Sequence, residues 1–159
     1  ELLSADWHFL AERQRCVVHK LRNLEAKAPV KLREEVAEDF RRMLYAETAA
    51  LVAKERAAFT KKWRLRCPAV AKSFEEAGDE LFTFLRFPTA QWRALRTTNA
   101  LERINEEFRR RTKTQAMLPS EDAVLVLLFG LLMSGQIRSR KIDGWQELPA
   151  VMATRRKAA

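Results

Sequence analysis

The stretch Leu95–Gln115 reads LRTTNALERINEEFRRRTKTQ and holds three acids, Glu102, Glu106 and Glu107, among six basic residues. Arg96, Arg103, Arg109, Arg110, Arg111 and Lys113 lie inside it, and Arg93 stands just ahead. Asn99 is a good N-cap, and Leu101, Ile104 and Phe108 recur at helical steps, so the stretch predicts a helix with a narrow apolar stripe. On a wheel of about 100° per residue, Asn105, Arg109, Glu102 and Glu106 fall side by side next to that stripe, with Arg103 and Arg110 roughly opposite. Two readings of Glu102 compete. It closes a capping box by reaching back to the Asn99 N–H, the arginines being a solvated face. Or it is a metal ligand for phosphoryl transfer, and the arginines hold phosphates. One carboxylate does not make such a site, so further ligands must come from elsewhere.

The composition narrows the context. The 159 residues suffice for one domain with a real core or for part of a larger one. Four Gly and five Pro among many Ala, Leu, Glu, Arg and Lys favour a mainly α protein. Thirty basic against twenty-one acidic residues leave +9, a charge that draws in polyanions. The longest apolar run, Ala123–Met133, is far short of the roughly 20 residues that span a bilayer, which argues against a membrane partner. The opening ELLSADWHFL has neither the basic start nor the cleavage site of a signal peptide, and no initiator Met, so the chain reads as a piece of something longer. Two cysteines, Cys16 and Cys67, point to a reducing compartment. The expectation is a cytoplasmic protein.

Outward from the decisive stretch, residues 13–19 (RQRCVVH) predict one short strand, from Cys16, Val17 and Val18. Helical composition follows and stops before Pro29. Leu32, Val36, Phe40, Met43 and Leu44 then predict an amphipathic helix to about Tyr45, and a second runs from about Glu47 to Arg66. Pro68 ends that one and opens another, which Gly78 closes; DELFTFLRFP adds a short helix halting at Pro88. Ser120 caps a last long helix whose body, Val124–Met133, is apolar all round and is expected to be buried. The tail after it is basic and broken by Gly and Pro, with a loosely ordered end expected.

QRCVVHKLRN carries Cys16 and His19 with two residues between them. A closed zinc site needs four ligands, and neither His8 nor Cys67 offers paired spacing to complete one. The plain reading is a small buried cysteine on a strand.

Taken together, QRCVVHKLRNL, then RTTNALERINEEFRRRTK, then LPSEDAVLVLLFGLLM resemble the Mutator-type transposases of bacterial insertion sequences. CPAVAKSFEEAGDELFTFLRFP is similar to the stretch before that family's last acidic residue. The resemblance runs from about Gln14 to Met133, and its paired motifs, Q-x-C-x-x-H and T-T-N-x-x-E-R-x-N-x-E, are specific.

What it implies is a ribonuclease-H-like fold, DNA strand cleavage and transfer by a DDE triad, and a divalent metal, magnesium. Glu102 matches the triad's last member and so its metal ligand. Asn99, Arg103, Asn105 and Glu106 match the motif around it, and Cys16 and His19 match the C-x-x-H, whose role is uncertain. Arg96, Asn99, Arg103, Asn105, Arg109, Arg110, Arg111 and Lys113 are the implied DNA contacts. The fold expected is mainly α, the C-terminal part of a ribonuclease-H-like domain with one short strand and an all-helical insertion. Its divisions are 1–27 (end of the core), 28–88 (insertion), 89–139 (catalytic Glu helix and closing helix) and 140–159 (basic tail). The family's two Asp precede the C-x-x-H; Asp6 is too close to Cys16 and lacks the expected Gly, so this piece holds one of three ligands and is inactive alone. Partners implied are transposon ends, target DNA and, for the parent, copies of itself, all nucleoid-associated. The alternative is a non-catalytic, basic DNA-binding remnant of a transposase.

Overall fold

The structure, a computed structural model, describes residues 12–158 apart from 115, 116, 118, 119 and 139, with side chains described as far as residue 153. Eight α-helices occur among them: α1 (Val17–Lys27), α2 (Arg33–Leu44), α3 (Ala49–Arg66), α4 (Pro68–Glu76), α5 (Thr89–Leu95), α6 (Asn99–Thr112), α7 (Glu121–Met133) and α8 (Leu148–Ala158). The described residues hold no strand, so the chain is mainly α and the strand expected at Cys16–Val18 is corrected. Val17 and Val18 open α1 instead, with extended Cys16 as the N-cap, because Val17, Lys20 and Leu24 bury at helical spacing. Tertiary burial overrides a β-branched pair's weak local preference.

The core forms where α1–α4 pack on one another. Phe40, Phe59 and Phe74 meet there, with the Phe59 and Phe74 centroids 4.8 Å apart, and Leu24, Val36, Met43, Leu44, Trp63 and Val70 are wholly buried around them. Thr48 caps α3 by accepting from Leu51 N–H, and Pro68 sits where its missing N–H is harmless, at the start of α4. DELFTFLRFP is not one helix but two 3-10 turns, Gly78–Leu81 and Thr83–Arg86; Gly78 breaks the chain with φ +58°. The short α5 after Pro88 was not legible in the sequence, having little period of its own.

One carboxylate is buried in this core. Asp39 accepts from Trp63 Nε1 (3.1 Å), Lys62 Nζ (2.5 Å) and Arg42 (2.8 Å). Burial pushes it up, but the Lys62 and Arg42 hydrogen bonds outweigh that and hold it below the ordinary carboxylate value. On the other side of the bundle Glu76 takes hydrogen bonds from Arg15 and the buried Lys20, which hold it down at about 2.

The C-terminal third departs from expectation. The helix Val124–Met133 is not buried: Val126, Phe129 and Met133 are each more than 60% exposed, and only Leu131 is buried among the described side chains of α7. Ser120 does cap it, accepting from Ala123 N–H. In the tail a 3-10 turn (Trp145–Glu147) leads into α8. Between α7 and that turn the chain returns along α6 and α5. Ile137 is buried, the Arg111 guanidinium donates to the Gln136 carbonyl, and buried Gln91 donates to the Gly144 carbonyl at 3.1 Å. A side chain at Gly144 (φ +69°) would sit 2.6 Å from Gln91 Cγ, so only glycine lets the strap lie this close.

Asp39 and Glu76 each give a prediction. Asp39→Asn removes hydrogen bonds from two cations and should lower unfolding free energy by about 2 kcal/mol, read from urea denaturation; an unchanged midpoint would show that the triad contributes nothing. Asp39 and Glu76 both have folded values below their unfolded ones, so the folded chain binds fewer protons than the unfolded one in acid. Their contribution is complete above the unfolded value of about 4 and is lost as pH falls toward 2. Thermal melts between pH 6 and pH 2 should show a falling midpoint that flattens in Asp39→Asn.

Candidate active-site carboxylate and its cationic surround

Helix α6 starts at a joint made by Arg96. Its side chain is buried, with the guanidinium carbon 4.6 Å from the Phe84 ring centroid, 4.9 Å from Tyr45 and 5.5 Å from Trp92. Cation–π attraction offsets part of the desolvation that pushes its pKa down. Its Nε is buried with no hydrogen-bond partner. Arg96 therefore does not sit with the exposed cations of the α6 surface, where the sequence reading placed it. Its carbonyl accepts from Val17 N–H at 2.8 Å, which fixes the C-x-x-H segment against the start of α6.

Thr98, not Asn99, is the N-cap residue of α6. The capping box between Asn99 and Glu102 does not form. Glu102 Oε1 instead accepts from the Thr98 hydroxyl at 2.6 Å, and the same hydroxyl oxygen lies 3.6 Å from Cys16 Sγ, 82 residues away in sequence. Two segments that looked independent along the chain thus meet. Burial pushes the Cys16 thiol up, yet hydrogen bonds from the His19 backbone and from Thr98 bring it down to about 7. His19 is exposed, and with Arg15, Cys16, Lys20 and Asn23 it lines a small cleft of about 270 Å³.

Glu102, Asn105, Glu106 and Arg109 share one exposed face of α6 as the wheel requires, whereas Ile104 and Phe108 are half-buried and Leu101 is 62% exposed. The three acids differ in their partners. Glu107 is held by Arg110 and Arg111, whose hydrogen bonds lower its pKa. Glu102 has Thr98 and no ion pair among the described residues. Of the expected cations, Arg103, Arg109, Arg110 and Lys113 are exposed, with Arg103 Nε on the Asn99 carbonyl at 3.2 Å, and Arg111 is largely covered. Asn99 is exposed at the first helical position.

Sequence reasoning missed two sets of residues. Arg138 and Arg140, read as part of a basic tail, face Arg103 and Glu106 across a cleft of about 340 Å³ floored by Ile104, Ile137 and Ile142. Thr98 was legible as a capping residue, but nothing in one sequence showed that it reaches Cys16. No zinc set assembles: Cys67 is buried with its thiol toward the Lys27 carbonyl at 3.8 Å, and among the described residues no three His, Cys, Asp or Glu side chains group as metal ligands. His8 and Asp6 lie outside the described residues. No helix among them is long and apolar enough to cross a membrane.

Comparison with known proteins agrees with the two motifs. The chain is 34% identical over 123 residues to the transposase for insertion sequence element IS905 of Lactococcus lactis, covering 76% of this chain and 31% of that protein. It is 34% identical over 118 residues to the transposase for element ISRM5 of Rhizobium meliloti (74% and 30%), and 36% identical over 120 residues to that for element IS406 of Burkholderia multivorans (75% and 31%). The chain thus spans about a third of the length of these relatives. Residues 6–139 match the family described as Transposase, Mutator family, and with most of its length in that match the chain belongs to the Mutator family of transposases.

Proposed function

We propose that this chain supplies the last acidic ligand, Glu102, and part of the DNA-holding surface of a DDE-type transposase that cleaves and joins DNA strands with divalent metal. The observation that carries the reading is the difference between neighbouring acids on α6. Glu107 is neutralised by two arginines, while Glu102 is exposed, oriented by a neutral hydroxyl, and left with carboxylate oxygen free to ligate. A hard oxygen donor of this kind suits magnesium. A bound ion pair would activate the attacking oxygen and stabilise the leaving one. Glu102 alone cannot hold it, so the two Asp come from residues other than those described. In this reading α2–α4 belong to the helical insertion and pack on α1 at the end of the ribonuclease-H-like core, and the bare apolar face of α7 is the side that a ribonuclease-H-like sheet covers.

The exposed cations have the complementary task. Arg103, Arg109, Arg110 and Lys113 on α6, with Arg138 and Arg140 across the cleft, bind the phosphates of transposon ends and target. Such contacts set position and are largely independent of sequence. A second reading, a DNA-binding remnant without catalysis, rests on the exposed cations of α6 and the cleft alone.

Binding of the chain to a short mixed-sequence duplex, followed by fluorescence anisotropy across salt, should weaken linearly on a log–log plot. Replacing Arg103, Arg109 or Arg138 by Ala should each reduce the slope by about one. Flat salt dependence would sink the DNA reading. In complementation with a family segment carrying both Asp, Glu102→Gln should abolish magnesium-dependent cleavage and leave the binding slope intact; no cleavage by the wild-type mixture would favour the remnant.

A further inference from the structure

The C-x-x-H segment has no role in the reading above, yet it touches the Glu102 helix through one side chain. A hydroxyl carries one proton and two lone pairs. The Glu102 carboxylate only accepts, so while Cys16 is a neutral thiol the Thr98 proton goes to Oε1 at 2.6 Å, and the hydroxyl oxygen turns a lone pair to Cys16 Sγ, 3.6 Å away, where the S–H can meet it. Both ends of this chain are anchored. Cys16 is followed by Val17, whose N–H is tied to the Arg96 carbonyl at 2.8 Å, and Arg96 is clamped between Phe84, Tyr45 and Trp92. Thr98 accepts through its carbonyl from Glu102 N–H at 2.8 Å, so one residue meets both the backbone and the side chain of Glu102.

We propose that Cys16 and Thr98 are positioning residues for Glu102, the cysteine acting through the threonine to hold one carboxylate oxygen and leave the other turned outward for a metal ion. The inference deepens the assignment of Glu102 as a ligand and rests on it for its purpose, though not for its geometry. A glutamate side chain has three rotatable bonds and on an exposed helix face samples many rotamers. Fixing one oxygen at 2.6 Å removes much of that freedom before any ion arrives. It also explains why a cysteine suffices at residue 16. The contact needs a small donor at the end of an extended segment.

A purely capping threonine would make the same contact with Glu102 but would not pass on a change at residue 16. The test therefore reads Glu102 itself in the whole chain, with the side-chain carboxyl carbons labelled with ¹³C and the Glu102 resonance identified by its loss in Glu102→Gln. At pH 6, Thr98→Val should displace that resonance beyond the spread among the other glutamates, and Thr98→Ser should restore it. Cys16→Ala should displace it as well, Cys16→Ser should not, and in a Thr98→Val background Cys16→Ala should add nothing further. An unmoved resonance in Cys16→Ala, or an effect that persists without the Thr98 hydroxyl, overturns the proposal. Far-ultraviolet circular dichroism confirms that each variant is folded, and the conservative Ser variants carry the test where Val or Ala fails to fold. Complementation with a family segment carrying both Asp separates this from the ligand assignment: magnesium-dependent cleavage that survives Glu102→Gln would remove the metal role while leaving the coupling from Cys16 as measured.

Discussion

Everything functional in this chain hangs from Arg96. A guanidinium does not lose its proton in a protein, so a buried arginine must be compensated where it stands. Here the compensation is three aromatic faces rather than a carboxylate. Tyr45 comes from the end of α2, Phe84 from the second 3-10 turn and Trp92 from α5, so a single side chain gathers three separate parts of the helical core. Its carbonyl then fixes the start of α1, and two residues on the chain turns into α6. The relative position of the C-x-x-H segment and Glu102 is thus set by the core as well as by the contact of Cys16 with Thr98.

That dependence shows why the core and the surface helices obey different rules. In α1–α4, large apolar side chains bury at helical spacing and the one buried carboxylate has three donors. In α6 and α7 the same kind of sequence has no such cover. Leu101 and the Val126, Phe129 and Met133 side of α7 face outward. An apolar helix buries itself only when another layer lies against it, and no such layer is present among the described residues.

The legible part of the fold was the part with period. Val36, Phe40, Met43 and Leu44 announced α2, and Pro68 and Ser120 marked helix starts, because each states a local physical need. Cys16–Val18 misled, since compact and β-branched residues signal a strand only while the partner of Val17 is unknown. Arg96 misled in the other direction: surrounded by basic residues in sequence, it reads as a surface cation, and only the folded positions of Tyr45, Phe84 and Trp92 show otherwise. Glu102 stood out from its own helix, but its partner could not, because one sequence holds no record that residues 16 and 98 touch. Arg138 and Arg140 were hidden in the same way by a chain reversal that depends on Gln91 and Gly144.

An acid set in a basic helix raises the question of what keeps the arginines off it. Proximity along the helix answers for Glu107, whose neighbours three and four residues on are Arg110 and Arg111, the spacing at which side chains meet. Glu102 has Asn105 three and Glu106 four residues on, so no arginine of its own helix stands at that spacing on its C-terminal side. Toward the N-terminus the residue four back is Thr98, whose hydroxyl satisfies the carboxylate without neutralising it. The arginine at the helix start is removed by burial among aromatics. Helix α6 is also pinned at both ends, by Thr98 at its start and by the bond from Arg111 to the strap. Glu102 lies one turn from the first pin, and Arg109 lies on an outward face, free to follow a flexible polyanion. A charge left unpaired on a rigid support, beside cations left loose, is the arrangement that metal ligation and phosphate binding each require.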